Sequence, residues 1–392
     1  MTASIRRYIG AALGLWFGLL ALLALINAVV DPYCAYGRGA SVFADYKPAN
    51  DRPEIKAERV ALLQPTTLIL GSSRALVFDP EWPEWGPRPA FNLGVAGASM
   101  QQVASAFRYC TKTTRVERLL LCVDYSQFCD NPGDDPFERS RLSPDFSPVS
   151  YHFQNLLSLN ALDATRQTLR NYLASRVTSY TPLGYVRHGR FPLKAAPRLR
   201  FVATLKDSGR LIARRRSDDY TNALREIAQA CDERDVELNV VVSPVHCLLL
   251  ESLVAQGLWN DYRDWLGDVT ETVETETEGE ARVWDFAGYN RYTTEPVPLT
   301  NAAPEPLYYQ EASHFTGALA RKVFERVYAL PEADESFGSL VQPSDVQTRL
   351  IVLDAERTKW LATRPASLAL LHEALPTRIA AEASADSVRL AR

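Results

Sequence analysis

Two short segments about 240 residues apart hold the residue types that acyl-transfer chemistry requires. Leu68-Ile69-Leu70-Gly71-Ser72-Ser73-Arg74 is an apolar run that passes straight into a glycine and two serines, and Glu311-Ala312-Ser313-His314 puts a carboxylate three residues before a histidine. A serine hydroxyl becomes a useful nucleophile only when a base within hydrogen-bond reach takes its proton. Histidine suits that task near neutral pH, and a carboxylate can fix its tautomer. Of the five histidines (His152, His188, His246, His314 and His372), only His314 has an acid at a spacing that lets both side chains reach one point from a turn. The oxyanion formed on a carbonyl under attack needs backbone N–H donors, and the N–H groups of Ser73 and of Gly97 are candidates. Each residue also has a plainer reading. Ser73 can be the N-cap of a following helix, His314 a capping or surface residue, and Gly97 an ordinary turn glycine.

The order of these parts resembles the SGNH/GDSL hydrolase superfamily. Gly71-Ser72-Ser73-Arg74 after a strand is similar to its first block, with Ser73 in the nucleophile position. Asn92-Leu93-Gly94-Val95-Ala96-Gly97-Ala98-Ser99 is similar to its second, with Gly97 as an oxyanion donor, and Glu311-Ala312-Ser313-His314 to its aspartate-x-x-histidine block. The match consists of scattered blocks over about residues 65–328. The resemblance implies a three-layer α/β/α sandwich around a parallel sheet, of flavodoxin-like type, and a serine esterase or acyltransferase that uses no cofactor and no metal. With the apolar N-terminus, it extends to the anchored, periplasmic SGNH-like proteins of envelope-polysaccharide O-acetylation and D-alanylation. Expected partners are therefore an acyl ester or glycan substrate and a membrane acyltransferase. Two positions depart from the pattern: Glu311 stands where the family has aspartate, and Cys122-Val123-Asp124-Tyr125 lacks the asparagine that supplies a second oxyanion donor. An ionised Asp124 would repel the oxyanion, so it must turn away, be neutral or pair elsewhere, for example with Arg74. A catalytically silent scaffold that binds glycan or an acyltransferase is the alternative. An ordinary α/β-hydrolase fits poorly, because Gly71-Ser72-Ser73-Arg74-Ala75 is not a G-x-S-x-G elbow.

The elements around these residues alternate between strand-like and helical. Short apolar runs at Thr67–Leu70, Ala90–Leu93 and Leu119–Val123, the strongly β-branched Val236–Val242, and Arg282–Phe286 read as strands, and continuous apolar runs such as Leu119–Val123 mark burial on both faces. Helical spacing occupies Ser99–Thr111 (Ser99 as N-cap), Tyr151 to about Arg176, Asp218–Arg234, about Trp259–Thr277 and Thr316–Val327. Strands alternating with helices argue for a parallel sheet covered on both faces, whose ligands sit beyond the C-terminal strand ends. Ser73, Gly97, Asp124 and His246 all fall just past such an end. His246 is therefore a candidate substrate contact, with a core or capping histidine as its other reading. Asp285, at the end of the last strand, could alternatively orient a base.

From Tyr8 to Val30 the chain carries no charged residue and is nearly all apolar, enough as a helix to span the ~30 Å hydrocarbon core. Arg6 and Arg7 precede it, which favours a cytoplasmic N-terminus and an extracytoplasmic main domain. A cleaved signal peptide competes, but the run is long for one and no small-x-small site follows. The expected organisation is a stub and signal anchor over 1–30, an α/β domain over 31–335 with inserts at about 129–150 and 181–200, and a helical appendage over 336–392. The net charge of −4 gives no reason to expect nucleic acid, and Arg214-Arg215-Arg216 reads as a solvated face. The six cysteines have no metal-type spacing and single out no disulfide pair.

Overall fold

The structure, a computed structural model, describes residues 3–37, 42–48, 50–88, 90–130, 137, 140–143, 146–208 and 216–375. In chain order its elements are α1 (Ala3–Val30), α2 (Pro53–Leu63), β1 (Thr67–Leu70), β2 (Phe91–Asn92), α3 (Met100–Thr113), β3 (Arg118–Val123), α4 (Pro148–Leu157), α5 (Leu159–Leu173), α6 (Pro197–Ser208), α7 (Asp218–Asp232), β4 (Glu237–Val242), α8 (Cys247–Val254), α9 (Trp259–Glu276), β5 (Arg282–Asp285), α10 (Gly317–Val327), β6 (Ser339–Leu340), α11 (Val346–Ala362) and α12 (Leu368–Ala374).

The fold is mixed α/β around one six-stranded sheet, ordered β2-β1-β3-β4-β5-β6. The first five strands are parallel, and β6 joins antiparallel to β5. Every residue of β1 is buried, as are Leu119–Val123 of β3 and Leu238–Val242 of β4; Leu119–Val123 accordingly reads as an unbroken apolar run, while β4 buries the polar Asn239 among its valines. Ser99 caps α3 in a reciprocal capping box with Gln102. Helix α3 packs on α7 and α7 on α9, while α6, α8 and α12 form another packed group.

Several boundaries differ from those read in the sequence. The helical stretch from Tyr151 is two helices, because Ser158 is extended and its hydroxyl accepts the Ala161 N–H at 3.0 Å, capping α5. The segment from 336 is not simply appended. It supplies β6, and α11 is pinned to the domain through Arg349 on Asp285 (2.8 Å) and Arg357 on Glu251 (2.8 Å). The insert at 181–200 docks on the main domain, as shown below. Parts of the insert at 129–150, together with Arg214 and Arg215, lie outside the described residues, whereas Arg216 is tied to Asp261 and Asp268. All six cysteines are buried and none is in a disulfide. Residues Ile5–Val30 of α1 form one helix long and apolar enough to cross a membrane.

Candidate active site

The nucleophile turn leaves β1 at Gly71. There φ is +146°, and a Cβ would sit 2.6 Å from the Cys122 carbonyl oxygen, so only glycine fits. Ser72 then caps a 3-10 turn over Ser73–Val77, its hydroxyl accepting the Arg74 N–H at 3.3 Å. The capping role that sequence left open for Ser73 thus falls to its neighbour, and the Ser73 side chain is left for other work. Its Oγ lies 2.7 Å from His314 Nε2. The loop after β2 packs on this turn: Val95 N–H donates to the Gly71 carbonyl at 3.1 Å, and Leu93 N–H to that of Ile69 at 2.8 Å. Gly97 lies in the same loop, exposed and in the left-handed region at φ +72°. Among the described residues, no intramolecular hydrogen bond uses the Ser73 or the Gly97 N–H.

The base loop folds around its own carboxylate. Glu311 accepts the backbone N–H groups of Ser313 and His314, both at 2.8 Å, and the ring N–H at His314 Nδ1. Burial pushes the Glu311 carboxyl up, but the His314 ring, the Thr204 hydroxyl and the Ser313 N–H outweigh it and bring the group down to about 2. An ionised carboxylate only accepts, so Nδ1 carries the proton and Nε2 presents its lone pair to Ser73. The Glu311 arm curls back onto the two loop amides, which fixes its carboxylate beside the ring. The His314 side chain is 30% exposed against 5% for Glu311, so the base meets solvent while its partner stays dry.

Beside the pair of segments runs a buried strut. Arg74 bonds Asp124 through Nη1, the Ser313 carbonyl through Nε at 2.9 Å and the Ser313 hydroxyl through Nη2 at 2.8 Å. The other Asp124 oxygen accepts the Ser72 hydroxyl. The end of β3, the nucleophile turn and the base loop are thereby cross-linked. The Asp124–Arg74 pairing raised by the sequence is present, and with their polar atoms engaged on one another and on Ser72 and Ser313 these two residues brace the site instead of serving as oxyanion or substrate ligands.

Of the two readings of His246, the core and capping one holds and the substrate contact is corrected. The residue is 1% exposed and caps α8, Nδ1 accepting the Leu248 N–H at 3.2 Å and Nε2 donating to the Glu295 carbonyl at 2.9 Å. With both nitrogens engaged inside the fold it cannot contact substrate. Burial pulls its pKa down to about 4 and keeps it neutral. Asp285 pairs with Arg349 and accepts the Ala287 N–H, and so orients no base.

Other supporting residues gave no sequence signal. Lys56 of α2, fully buried, donates to the carbonyls of Asn92 (3.1 Å), Gly94 (2.6 Å) and Gly184 (3.3 Å), fastening the loop that carries Gly97. Burial pulls its ammonium down to about 7. The Asn92 amide bonds the Ala75 and Phe78 carbonyls and accepts the Gly94 N–H. Gln310 clasps Phe191 of the 181–200 insert through its N–H (2.7 Å) and carbonyl (3.0 Å), and the Phe191 ring stands edge-on to His314 at 5.1 Å. The second insert is therefore a wall of the site. The signal available in sequence was Phe191 within a Pro- and Gly-rich stretch, which says nothing about where that stretch docks.

A cavity of about 250 Å³ opens beyond the strut, at the C-terminal ends of β3 and β4. Arg74, Asp124 and Ser313 border it, and Leu249, Leu250, Leu253 and Trp265 form an apolar inner wall. Chemically, the arrangement supplies a hydroxyl, a base in the right tautomer, a charge to support the imidazolium, and two unused N–H donors nearby. No protein-family model, curated protein or solved structure matches this chain.

Proposed function

We propose that the chain is a membrane-anchored, SGNH-like serine esterase or O-acyltransferase acting on acyl esters, those of cell-envelope or exported glycans in particular. The observation that carries this reading is the 2.7 Å approach of Ser73 Oγ to His314 Nε2, with Nδ1 of the same ring on Glu311. Ser73 Oγ attacks the ester carbonyl as its proton passes to Nε2. The tetrahedral oxyanion is held by the Ser73 and Gly97 N–H groups. The imidazolium then protonates the leaving oxygen, and an acyl-serine remains. Water or a glycan hydroxyl, deprotonated by the same nitrogen, takes the acyl group and restores Ser73.

The strand order 2-1-3-4-5 is that of flavodoxin-like doubly wound sheets, which supports a three-layer sandwich of SGNH type. Ser73 and Asp124 end the two strands at its switch point, where such folds bind ligands. Helix α1, whose apolar run follows Arg6 and Arg7 in its first turns, serves as a single-pass anchor with the main domain on the extracytoplasmic side.

The test is hydrolysis of a chromogenic acetate by the full chain in detergent, with Ser73→Ala as control. A rate well above that of the control is expected, and equal rates would reject the enzyme. One observation favours a second reading, a silent scaffold that binds glycan or a membrane acyltransferase: Asp124 stands where the family has an amide donor and is locked to Arg74. Under that reading the chain binds glycan or the acyltransferase with Ser73 idle.

A further inference from the structure

Helix α1 is bare over most of its length and covered only near its end. From Ile5 to Leu19 every side chain is exposed, whereas Leu20, Leu23, Ala24, Asn27, Ala28 and Val30 are partly or fully buried. That spacing is one helical face, and α4 and α5 pack against α1. The contact is specific as well as apolar. Asn27 is fully buried, its amide donates to the Leu156 carbonyl at 2.8 Å, and Thr165 donates to its side-chain oxygen at 2.7 Å. On the inner side of α5, Ala161 and Ala164 join Tyr33, Cys34 and Ile55 in a small core separate from the main one.

The outer faces of the same two helices carry uncovered apolar side chains, flanked on α5 by the exposed Asp163 and Arg170 and on α4 by Ser150 and His152. On α5, Leu159, Leu162, Arg166, Leu169 and Leu173 fall within roughly 80° at 100° per residue. Of these, Leu159 and Leu173 are each 81% exposed. On α4, Val149 and Phe153 stand out by 82% and 61%. Such a stripe on a soluble surface would be a liability. Its place explains it. The covered face of α1 runs from Leu20 to Val30, about 15 Å of helix at ~1.5 Å per residue. The apolar run from Tyr8 to Val30 needs nearly its whole length to cross a ~30 Å hydrocarbon core. Whatever covers its last three turns therefore sits at the depth of the bilayer's edge.

We propose that α4 and α5 form a second membrane-contacting element, a hairpin seated among the lipids of the leaflet that α1 leaves, with Val149, Phe153, Leu159, Leu162 and Leu173 in the acyl-chain boundary. The inference rests on α1 spanning the bilayer. The occupant is lipid because α4 and α5 pack on α1 itself, whose Leu22, Leu25 and Val29 stay exposed over the same three turns. Both helices satisfy their own backbone groups, as this depth demands, and Arg166 has the long stem that lets a charged head reach the headgroups. A hairpin bonded to α1 through Asn27 and seated in the interface holds the domain, and with it Ser73, at a fixed pose to the membrane.

The test uses the full chain in phosphatidylcholine–phosphatidylglycerol vesicles, with an environment-sensitive thiol fluorophore at Phe153→Cys, Leu159→Cys or Leu173→Cys. The six native thiols are buried and so shielded from the label. Leu15→Cys in α1 and Ile351→Cys on α11 are the references. Labels on α4 and α5 should lose emission to nitroxide-bearing lipid as strongly as the α1 label and resist aqueous iodide, with the Ile351→Cys label doing the reverse. If they respond like the Ile351→Cys label while the α1 label is still quenched by lipid, the hairpin faces water or a protein partner and the proposal is wrong. If the α1 label also escapes lipid nitroxide, the anchor reading fails and the hairpin proposal with it.

Discussion

The strut between Arg74 and Asp124 yields the sharpest quantitative expectation. Its side chains are 10% and 1% exposed, and each bonds a further residue of the site, Ser313 on one side and Ser72 on the other. Removing one member of a buried ion pair strands the other without water and costs roughly 3–5 kcal/mol. Asp124→Ala leaves the guanidinium two bonds to Ser313 but no counter-charge, and leaves the Ser72 hydroxyl without its acceptor, so a loss of about 3 kcal/mol is expected. Arg74→Met strands the carboxylate and also releases Ser313, so about 4 kcal/mol is expected. The double variant carries no buried unpaired charge and should cost less than the sum by roughly 2–3 kcal/mol. Urea unfolding of the full chain in detergent, followed by tryptophan fluorescence, gives all four stabilities. Because Ser313 precedes His314, Arg74→Met should also lower kcat for the chromogenic acetate. Additivity of the single losses within about 0.5 kcal/mol, or single losses under about 1 kcal/mol, would refute the strut.

Other expectations follow from the same geometry. Glu311→Gln presents an amide that can bind the wrong imidazole tautomer, and kcat should fall by roughly 10³–10⁴ with KM little changed, as steady-state kinetics would show. His246 is held neutral, its pKa taken from 6.5 to about 4, so between those values the unfolded chain binds a proton that the fold does not. Stability from this group is full above pH 6.5 and falls as pH drops to 4, by roughly 3 kcal/mol at ~1.4 kcal/mol per pH unit. His246→Gln should flatten that part of the stability–pH curve. Lys56→Met removes the donor for three buried carbonyls and should destabilise by about 2 kcal/mol or more, read from urea midpoints. Gln310→Ala frees the insert carrying Phe191, and protease cleavage between 181 and 200 should accelerate relative to the wild-type chain.

What could be read in advance was local. Gly71, Ser73, Glu311 and His314 announce themselves because the chemistry binds neighbours: a strand ending in glycine before a serine, and an acid three residues before a base. Strand β3 was legible because burial on both faces leaves an unbroken apolar run, and β4 because of its β-branched valines. The support structure was not, because it depends on long-range contacts. Lys56 looks like any helical surface lysine until Asn92, Gly94 and Gly184 close over it. The pairing of Arg74 with Asp124 could be suggested, but that it also grips Ser313 depends on residues 239 positions apart. His246 was legible as a strand-end residue with a capping role as one of its readings, but the choice against a substrate contact depends on Leu248 and on Glu295, 49 residues on. A two-residue strand such as β6 has too few side chains to show a period.

The central claim is that Ser73 is an activated nucleophile, and covalent trapping tests it most directly. A fluorophosphonate incubated with the full chain, followed by peptide mass spectrometry, should yield a single adduct on Ser73. The adduct should vanish in Ser73→Ala and form far more slowly in His314→Ala. Wild-type labelling no faster than that of Ser73→Ala, or an adduct on another serine, would contradict the account.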